Sequence, residues 1–145
     1  MYDRVLIPTD GSDALSDALD HGLDLAQRHD AEVHAVYVVD RRQYIGAPED
    51  VRADVEETLR HEGETAIAAV EERAFEHELD VVSEIREGIP YKEVLAHAEE
   101  NDVDAIAIGT HGKTGRDRIA TLGSVTERIV KHANRPVLVV SVGED

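Results

Sequence analysis

The amino-acid sequence predicts an α/β protein built on a five-stranded, parallel, doubly wound sheet. Short apolar runs alternate with amphipathic helical stretches along the chain, as strands and crossover helices do in such a fold. Two turns that combine glycine with polar residues, PTDGS and GTHG, each follow an apolar run. Ligands bind doubly wound sheets beyond the carboxyl ends of the strands, where the strand order reverses. If the first and fourth strands are neighbours there, both turns line one crevice. This favours the order 3-2-1-4-5, with the flavodoxin-like order 2-1-3-4-5 as the alternative.

The helices are predicted from apolar spacing and from their first residues. In the first, Ala14, Leu15, Ala18, Gly22, Leu25 and Ala26 fall on one face. In the second, Val51, Val55, Leu59, Ala66, Ala69 and Val70 form a stripe. Pro90 opens the third helix, because its missing N–H costs nothing there. The predicted helices span residues 12–28, 49–77, 90–101 and 124–133. The predicted strands span residues 4–8, 31–39, 80–86, 104–108 and 137–142, with a loop at 40–48.

Length and composition predict one domain over residues 1–145. No apolar run approaches the ~18 residues that a membrane span needs, so no membrane association is expected. The N-terminal residues MYDRVLIP carry charges and lead directly into a strand, which is not typical of a signal peptide. The chain contains no cysteine, which excludes disulfides and thiol chemistry. A cytoplasmic location is expected.

The formal net charge of −17, from 32 acidic and 15 basic residues, is unusual. The acidic residues are spread along the chain, which argues against a disordered acidic tail. A folded protein with this charge repels itself in dilute buffer, and molar salt removes most of that repulsion by shortening the Debye length to about 3 Å. We therefore expect a protein from a halophile, although an ordinary acidic protein is the alternative. Without a net positive field, nonspecific binding of nucleic acid is disfavoured.

The segment AIAIGTHGKTGRDRIATLGSVTERIV, residues 105–130, predicts a phosphate site. Gly109 and Gly112 follow a strand, and Gly123 meets Ser124 where a helix begins. Glycine allows a ligand to approach the backbone closely, and the first turn of a helix offers unpaired N–H groups to an anion. The structural alternative is that the glycines only form turns and that Ser124 and Glu127 form a capping box.

Charged residues near the same sheet edge are further candidates. Asp10 either caps the first helix or contacts the base, the ribose or a Mg²⁺ ion, which takes one or two carboxylates plus phosphate oxygens. The densest basic cluster comprises Lys113, Arg116 and Arg118. These residues either face phosphate or belong to a solvated loop. Arg41 and Arg42 follow the second strand and would lie on the same rim, where arginine matches phosphate oxygens bidentately.

Signatures of catalysis are missing from the sequence. It has no HExxH motif, no P-loop and no GxSxG elbow. His111 lies in the glycine turn, where it either touches ribose or phosphate or only shapes the turn. The remaining histidines are scattered, and no nucleophile–base pair can be recognised, so no catalytic residue is predicted.

The sequence resembles the universal stress protein family over essentially all of its length. GTHG…GS is similar to the family's nucleotide motif, VLIPTDGSDAL to its first strand and turn, and RPVLVVSV to its last strand. The loop between Gly112 and Gly123 is one residue longer than is usual in ATP-binding members. The resemblance implies a Rossmann-like fold of the adenine nucleotide alpha hydrolase type and an ATP site, with Mg²⁺ at Asp10 and with Val38 beside the adenine. The implied site comprises Pro8, Thr9, Asp10, Val38, Gly109, His111, Gly112, Lys113, Gly123, Ser124, Val125 and Thr126.

The leading hypothesis is an ATP-binding universal stress protein that acts as a homodimeric stress-response regulator or sensor with unknown protein partners. The apolar strand Val137–Val142 lies at a sheet edge in the predicted order, and an unprotected apolar edge is a hazard. Pairing with a second subunit about a two-fold axis would cover it. Two alternatives remain: a slow Mg-dependent ATPase or nucleotide phosphohydrolase that uses Asp10, and a protein-interaction module that has lost its nucleotide.

Overall fold

The strands of the computed structural model, which describes residues 1–10, 15–110 and 123–141, form one parallel sheet. They are β1 (Arg4–Pro8), β2 (Glu32–Asp40), β3 (Val81–Gly88), β4 (Ala105–Gly109) and β5 (Val137–Val140). Their order is β3-β2-β1-β4-β5, which confirms the predicted order and excludes the flavodoxin-like one. The first and fourth strands are therefore neighbours, with Val5 opposite Ala105 and Leu6 opposite Ile106.

In the described part of the chain, the strands are connected by four α-helices: α1 (Leu15–His29), α2 (Glu49–Glu76), α3 (Pro90–Glu100) and α4 (Ser124–His132). Pro90 occupies the first turn of α3, as predicted. The loop expected after β2 contains a short 3₁₀ helix at Arg41–Gln43. The pairing of β2 with β3 continues to Asp40 opposite Gly88, so both strands end later than the sequence indicated. The predicted start of α1, at residues 12–14, lies outside the described residues.

The two faces of the sheet are covered by different helix pairs. One apolar cluster joins α1 and α2 to the sheet through residues that include Ile7, Leu23 and Val70. The other joins α3 and α4 to it through residues that include Leu6, Val94 and Ile129. Helices on both faces explain why the central strands are apolar throughout, since each face of the sheet is buried. The structure thus has the doubly wound arrangement that the sequence predicts.

The long helix α2 buries a narrower stripe than its sequence indicated. Its buried residues are Leu59, Gly63, Ala66, Ile67, Val70 and Ala74. The prediction was wrong for Ala69, which is exposed, because it lies about 100° around the helix from Val70. It was also wrong for Val51, which lies in the first turn, ahead of the buried stripe, and is 45% exposed.

Strand β5 lies at one edge of the sheet, as predicted, and β3 lies at the other. The strand ends at Val140, so Ser141 is not part of it, and Val142 lies outside the described residues. Within residues 1–10, 15–110 and 123–141, no helix is both long enough and apolar enough to cross a membrane.

Candidate functional site

The carboxyl end of β1 brings three predicted site residues to the middle of the sheet. Pro8 ends the strand and is half-buried, Thr9 is buried and Asp10 is half-buried. The backbone N–H of Thr9 donates to the carbonyl of Val36 over 2.9 Å, so the chain remains hydrogen-bonded to β2 one residue beyond the strand. This bond fixes the direction in which the backbone leaves the sheet toward Asp10.

The end of β4 is hydrogen-bonded directly to the start of α4. Gly109 is the last, buried residue of β4, and its carbonyl accepts a hydrogen bond of 2.7 Å from the buried hydroxyl Oγ1 of Thr126. The carbonyl of Thr110 accepts the N–H of Gly123 over 2.7 Å, and the N–H of Thr110 donates to Val140 over 3.0 Å. Although 13 residues lie between Gly109 and Gly123 in the sequence, these bonds hold the two glycines at one junction.

The start of α4 differs from the sequence expectation in one respect. Gly123 is the N-cap residue, with φ −63° and ψ 156°, and it makes no side-chain cap hydrogen bond. Ser124 is the first helical residue and is exposed, so the capping box of Ser124 and Glu127, which was the structural alternative, does not form. The N–H of Glu127 instead donates to the carbonyl of Gly123 over 2.9 Å. Gly123 has no side chain with which to cap them, and the N–H groups of the first turn, at Ser124, Val125 and Thr126, form the positive end of the helix dipole beside β4.

The second strand contributes an apolar residue to the same side of the sheet. Val38 is half-buried and packs with the apolar cluster under α3 and α4. Leu6 and Val36 belong to that cluster, and alternation along a strand places Pro8 and Val38 on the face that they share. Pro8, Val38 and the start of α4 therefore border one region at the carboxyl edge of the sheet.

The basic residues after β2 are arranged differently from the prediction. Asp40 accepts hydrogen bonds from the backbone N–H of Arg42 over 3.0 Å and from its guanidinium over 2.9 and 2.8 Å. The side-chain hydrogen bond from Arg42 is the main reason that the pKa of Asp40 lies below its usual value. The guanidinium of Arg42 is thus paired with a carboxylate that caps the 3₁₀ helix.

The electrostatic environment of this edge is acidic on the side of β2. Tyr37, on the α2 face of β2, is buried. Burial raises the pKa of its phenol, and the carboxylates of Glu62 and Asp10 raise it further. The effect of Asp10 indicates that its carboxylate lies near the carboxyl end of β2 as well as at the end of β1.

Several predicted site residues lie outside the described part of the chain. These are His111, Gly112 and Lys113, together with Arg116 and Arg118 of the basic cluster. Among the described residues, no group of three or more His, Asp or Glu side chains could hold a metal ion. A Mg²⁺ ion at Asp10 would take further oxygen ligands from phosphate and water.

The sequence reasoning missed a buried polar network on the α3 side of the sheet. It comprises Glu32, His34, Glu84 and His97, and both histidines are buried. The available signal was weak: His34 lies within an apolar strand, and His97 lies between the helical positions of Val94 and Ala98, which are buried. Neither histidine is close to the other in sequence, so the pair becomes visible only in the folded chain.

The sequence profile of the Universal stress protein family matches residues 1–141 of this chain. The chain belongs to the universal stress protein family. Universal stress protein MJ0531 of Methanocaldococcus jannaschii is 43% identical over 141 residues, which cover 97% of this chain and 82% of that protein. Universal stress protein MJ0577 of the same organism is 32% identical, over 97% of this chain and 95% of that protein.

Solved structures of universal stress proteins have the same fold. The structure of MJ0577 superimposes with a TM-score of 0.89 at 33% identity and covers 100% of this chain and 99% of its own. The universal stress protein UspA from Lactobacillus plantarum gives a TM-score of 0.83 at 31% identity, over 96% of this chain and 97% of its own. These similarities confirm the adenine nucleotide alpha hydrolase-like fold.

One solved structure with this fold is a nucleotide complex. It is a universal stress protein in complex with cAMP, with a TM-score of 0.75 at 22% identity, covering 98% of this chain and 99% of its own. At that identity the likeness concerns the fold alone.

Proposed function

We propose that this universal stress protein binds ATP with Mg²⁺ and acts as a homodimeric stress-response regulator or sensor. The observation that carries the proposal is the junction between β4 and α4. Two hydrogen bonds of 2.7 Å, from Gly123 to Thr110 and from Thr126 to Gly109, hold a helix start with glycine at its N-cap against the end of β4. Backbone N–H groups at a helix start favour phosphate oxygens through hydrogen bonds and through the helix dipole.

The surrounding residues give the proposed site a polar end and an apolar end. Val38 and Pro8 are half-buried on the α3–α4 side of the sheet and offer apolar surface to an adenine ring. Asp10 lies between the apolar residues and the helix start along the sheet edge, where its carboxylate would contact ribose or a phosphate-bound Mg²⁺. His111, Gly112 and Lys113 would complete the phosphate side of the site from the loop that precedes α4.

The family relationship supports the same ligand class. The fold of this chain also occurs in a universal stress protein in complex with cAMP, so the architecture is compatible with an adenine nucleotide. The hydrogen bonds of Thr110 and Thr126 join the end of β4 to the start of α4 in this chain, which has one more residue between Gly112 and Gly123 than is usual in ATP-binding members.

The proposed dimer uses the edge strand β5. Leu138 is 40% exposed on this strand, and Val130 of α4 is 43% exposed. Pairing of β5 with the same strand of a second copy would satisfy its open backbone edge and cover apolar surface. A cytoplasmic regulator of this kind would transmit its nucleotide state to protein partners through the surface beside the site.

Two measurements test the ligand. Freshly purified protein is denatured, and any released ligand is identified by mass spectrometry, with adenine nucleotide expected. In the second measurement, the Tm is recorded with Mg-ATP and with Mg-GTP, each at about a hundredfold excess over the ATP dissociation constant. Binding to the native state alone then stabilises by about 2.7 kcal/mol, which corresponds to a rise in Tm of roughly 5–10 °C for a chain of this size. A smaller rise is expected with Mg-GTP.

The outcomes separate the alternatives. Absence of both released nucleotide and a thermal shift at millimolar Mg-ATP would contradict the proposal and favour the interaction module. Phosphate release above a metal-only blank that is lost in Asp10→Ala would instead favour the slow ATPase.

A further inference from the structure

A continuous chain of four side chains connects β2, α3 and β3 through the interior of the protein. His34 Nδ1 lies 2.9 Å from His97 Nε2, and the two imidazoles are 2% and 1% exposed. At one end, His34 Nε2 lies 2.9 Å from Glu32 Oε1, and at the other, His97 Nδ1 lies 2.6 Å from Glu84 Oε1. All four ring nitrogens are therefore engaged in these three contacts.

Counting protons shows what these contacts require. A carboxylate only accepts hydrogen bonds, so each outer nitrogen, His34 Nε2 and His97 Nδ1, must carry a proton. The contact between the rings needs one further proton, because two lone pairs cannot face each other at 2.9 Å. Two neutral imidazoles supply only two N–H groups in total. With both carboxylates ionised, the pair must hold one excess proton and one positive charge.

Arginines on β1 and β3 help to keep both carboxylates ionised. Arg4 of β1 lies 3.9 Å from Glu32. Arg86 of β3 lies 3.1 Å from Glu84 and also binds two carboxylates of α3, those of Glu93 and Glu100. The amide of Asn101 lies 3.3 Å from His97 Nδ1 and donates to the carbonyl of His97 over 2.9 Å. The excess charge thus lies between two carboxylates whose outer sides face arginines.

Burial shifts the pKa of His34 and that of Glu84 in opposite directions. Burial is the main reason that the pKa of His34 lies below its ordinary value, although the hydrogen bond to Glu32 acts in the opposite direction. Burial raises the pKa of Glu84, but hydrogen bonds from His97 and Arg86 outweigh it and hold the net pKa below its ordinary value. The arrangement that satisfies all three contacts is therefore a neutral His34 that accepts from a charged His97.

We propose that the side-chain network Glu32–His34–His97–Glu84 is a proton-binding site that controls the packing of α3. With one excess proton bound, the network holds α3 on the sheet. When a second excess proton binds, α3 separates from the sheet. A second excess proton would occupy His34 Nδ1 and point at the N–H of His97 Nε2, 2.9 Å away. Donor would then face donor, and two positive rings would adjoin in a buried position. Separation of α3 from β2 relieves both conflicts.

The direction of the pH effect follows from the unfolded chain. Unfolded histidine binds protons near pH 6.5, whereas folded His34 resists them to a lower pH. As the pH falls through this interval, the open state binds more protons than the closed one, so closure is weakened. One proton changes the opening equilibrium by at most about tenfold per pH unit. Closure therefore weakens as the pH falls below about 6.5.

The protonation states are tested directly by ¹⁵N NMR of the imidazoles in the wild-type protein. At pH 7 we expect His97 to be doubly protonated and His34 to be neutral with its proton on Nε2. A neutral His97 at pH 7, or a His34 whose pKa is not below the ordinary value for histidine, would overturn the proposal.

Hydrogen exchange tests the opening of α3. After correction for intrinsic rates, exchange of the α3 amides in the wild type should rise by up to about tenfold per pH unit below pH 6.5, relative to α1. His97→Gln should flatten this dependence, because its amide can donate to His34 Nδ1 or, turned over, accept from it. His61→Gln, at a histidine whose side chain is 80% exposed, is the control and should leave the dependence unchanged. A wild-type profile without pH dependence, or an equal slope in His97→Gln, would contradict the proposal.

Discussion

Replacing Gly63 by alanine tests the packing of α2 on the sheet. A Cβ at this position would lie 2.6 Å from Cδ1 of Tyr37 and 3.0 Å from its Cγ and Cε1. The ring is 5% exposed, so it has little room to withdraw. Helix propensity alone would make Gly63→Ala stabilising by about 1 kcal/mol. Overpacking of a filled core costs about 1–3 kcal/mol. Because the conflict is with a ring rather than a flexible side chain, we expect a net loss of up to about 2 kcal/mol.

Urea unfolding measures this difference, with an unchanged m-value as the sign that only stability has changed. Gly46→Ala is the matched control, since a Cβ there meets no atom within 4 Å, and it should not destabilise. In a Tyr37→Leu background, the loss from Gly63→Ala should shrink or reverse, because the two positions are in contact. A stabilising Gly63→Ala in the wild-type background would refute the reasoning.

Three further predictions concern charge, the edge strand and the β4–α4 junction. The urea midpoint should rise strongly between 0.1 and 1 M salt, because the Debye length that screens the net charge of −17 falls from about 10 Å to about 3 Å. A flat midpoint would contradict the expected adaptation to salt. In sedimentation experiments, Leu138→Lys on the edge strand β5 should raise the dimer dissociation constant, whereas Val82→Lys on the opposite edge strand β3 should leave it unchanged. Equal dimerisation of both variants would exclude β5 as the interface. Thr126→Val should lower the free energy of unfolding by about 1–3 kcal/mol, because it leaves the carbonyl of Gly109 without its hydroxyl donor. Thr65→Val, at an exposed position, is the control, and equal stability of the two variants would contradict this role.

The strand order could be predicted because it depends on a local signal. Glycine-containing polar turns follow β1 and β4, and a shared crevice requires these strands to be adjacent. The helix boundaries followed from apolar spacing and from Pro90. Apolar spacing alone assigned too wide a buried stripe to α2. It included Ala69, which the packing of α2 on the sheet leaves exposed.

The site could be predicted only as far as its backbone pattern. The sequence placed Gly109 and Gly123 at the end of a strand and the start of a helix, and the structure agrees. It could not show that Gly123 takes the N-cap position from Ser124, since both residue types occur there. The pairing of Arg42 with Asp40 was equally hidden, because an arginine after a strand can point to a ligand or to its own chain.

The buried histidines show a limit of a different kind. His34 and His97 are 63 positions apart and meet only because β2 and α3 pack together. Sequence patterns report the face on which a residue lies, but the partner on the opposing element depends on tertiary packing. A histidine at a core-facing position is the feature that could have prompted a search for its partner.

Calorimetric titration of Mg-ATP into the wild type, Gly123→Val and Gly46→Val in molar salt tests the central claim most directly. Gly123 has φ −63° and ψ 156°, which valine can adopt, so the variant should fold while its side chain occupies the space beside the helix start. Gly46→Val, in open surroundings, should bind like the wild type. We expect wild-type binding that is lost by more than tenfold in Gly123→Val alone. Equal affinity in all three proteins, or no binding heat in the wild type at millimolar Mg-ATP, would contradict the account.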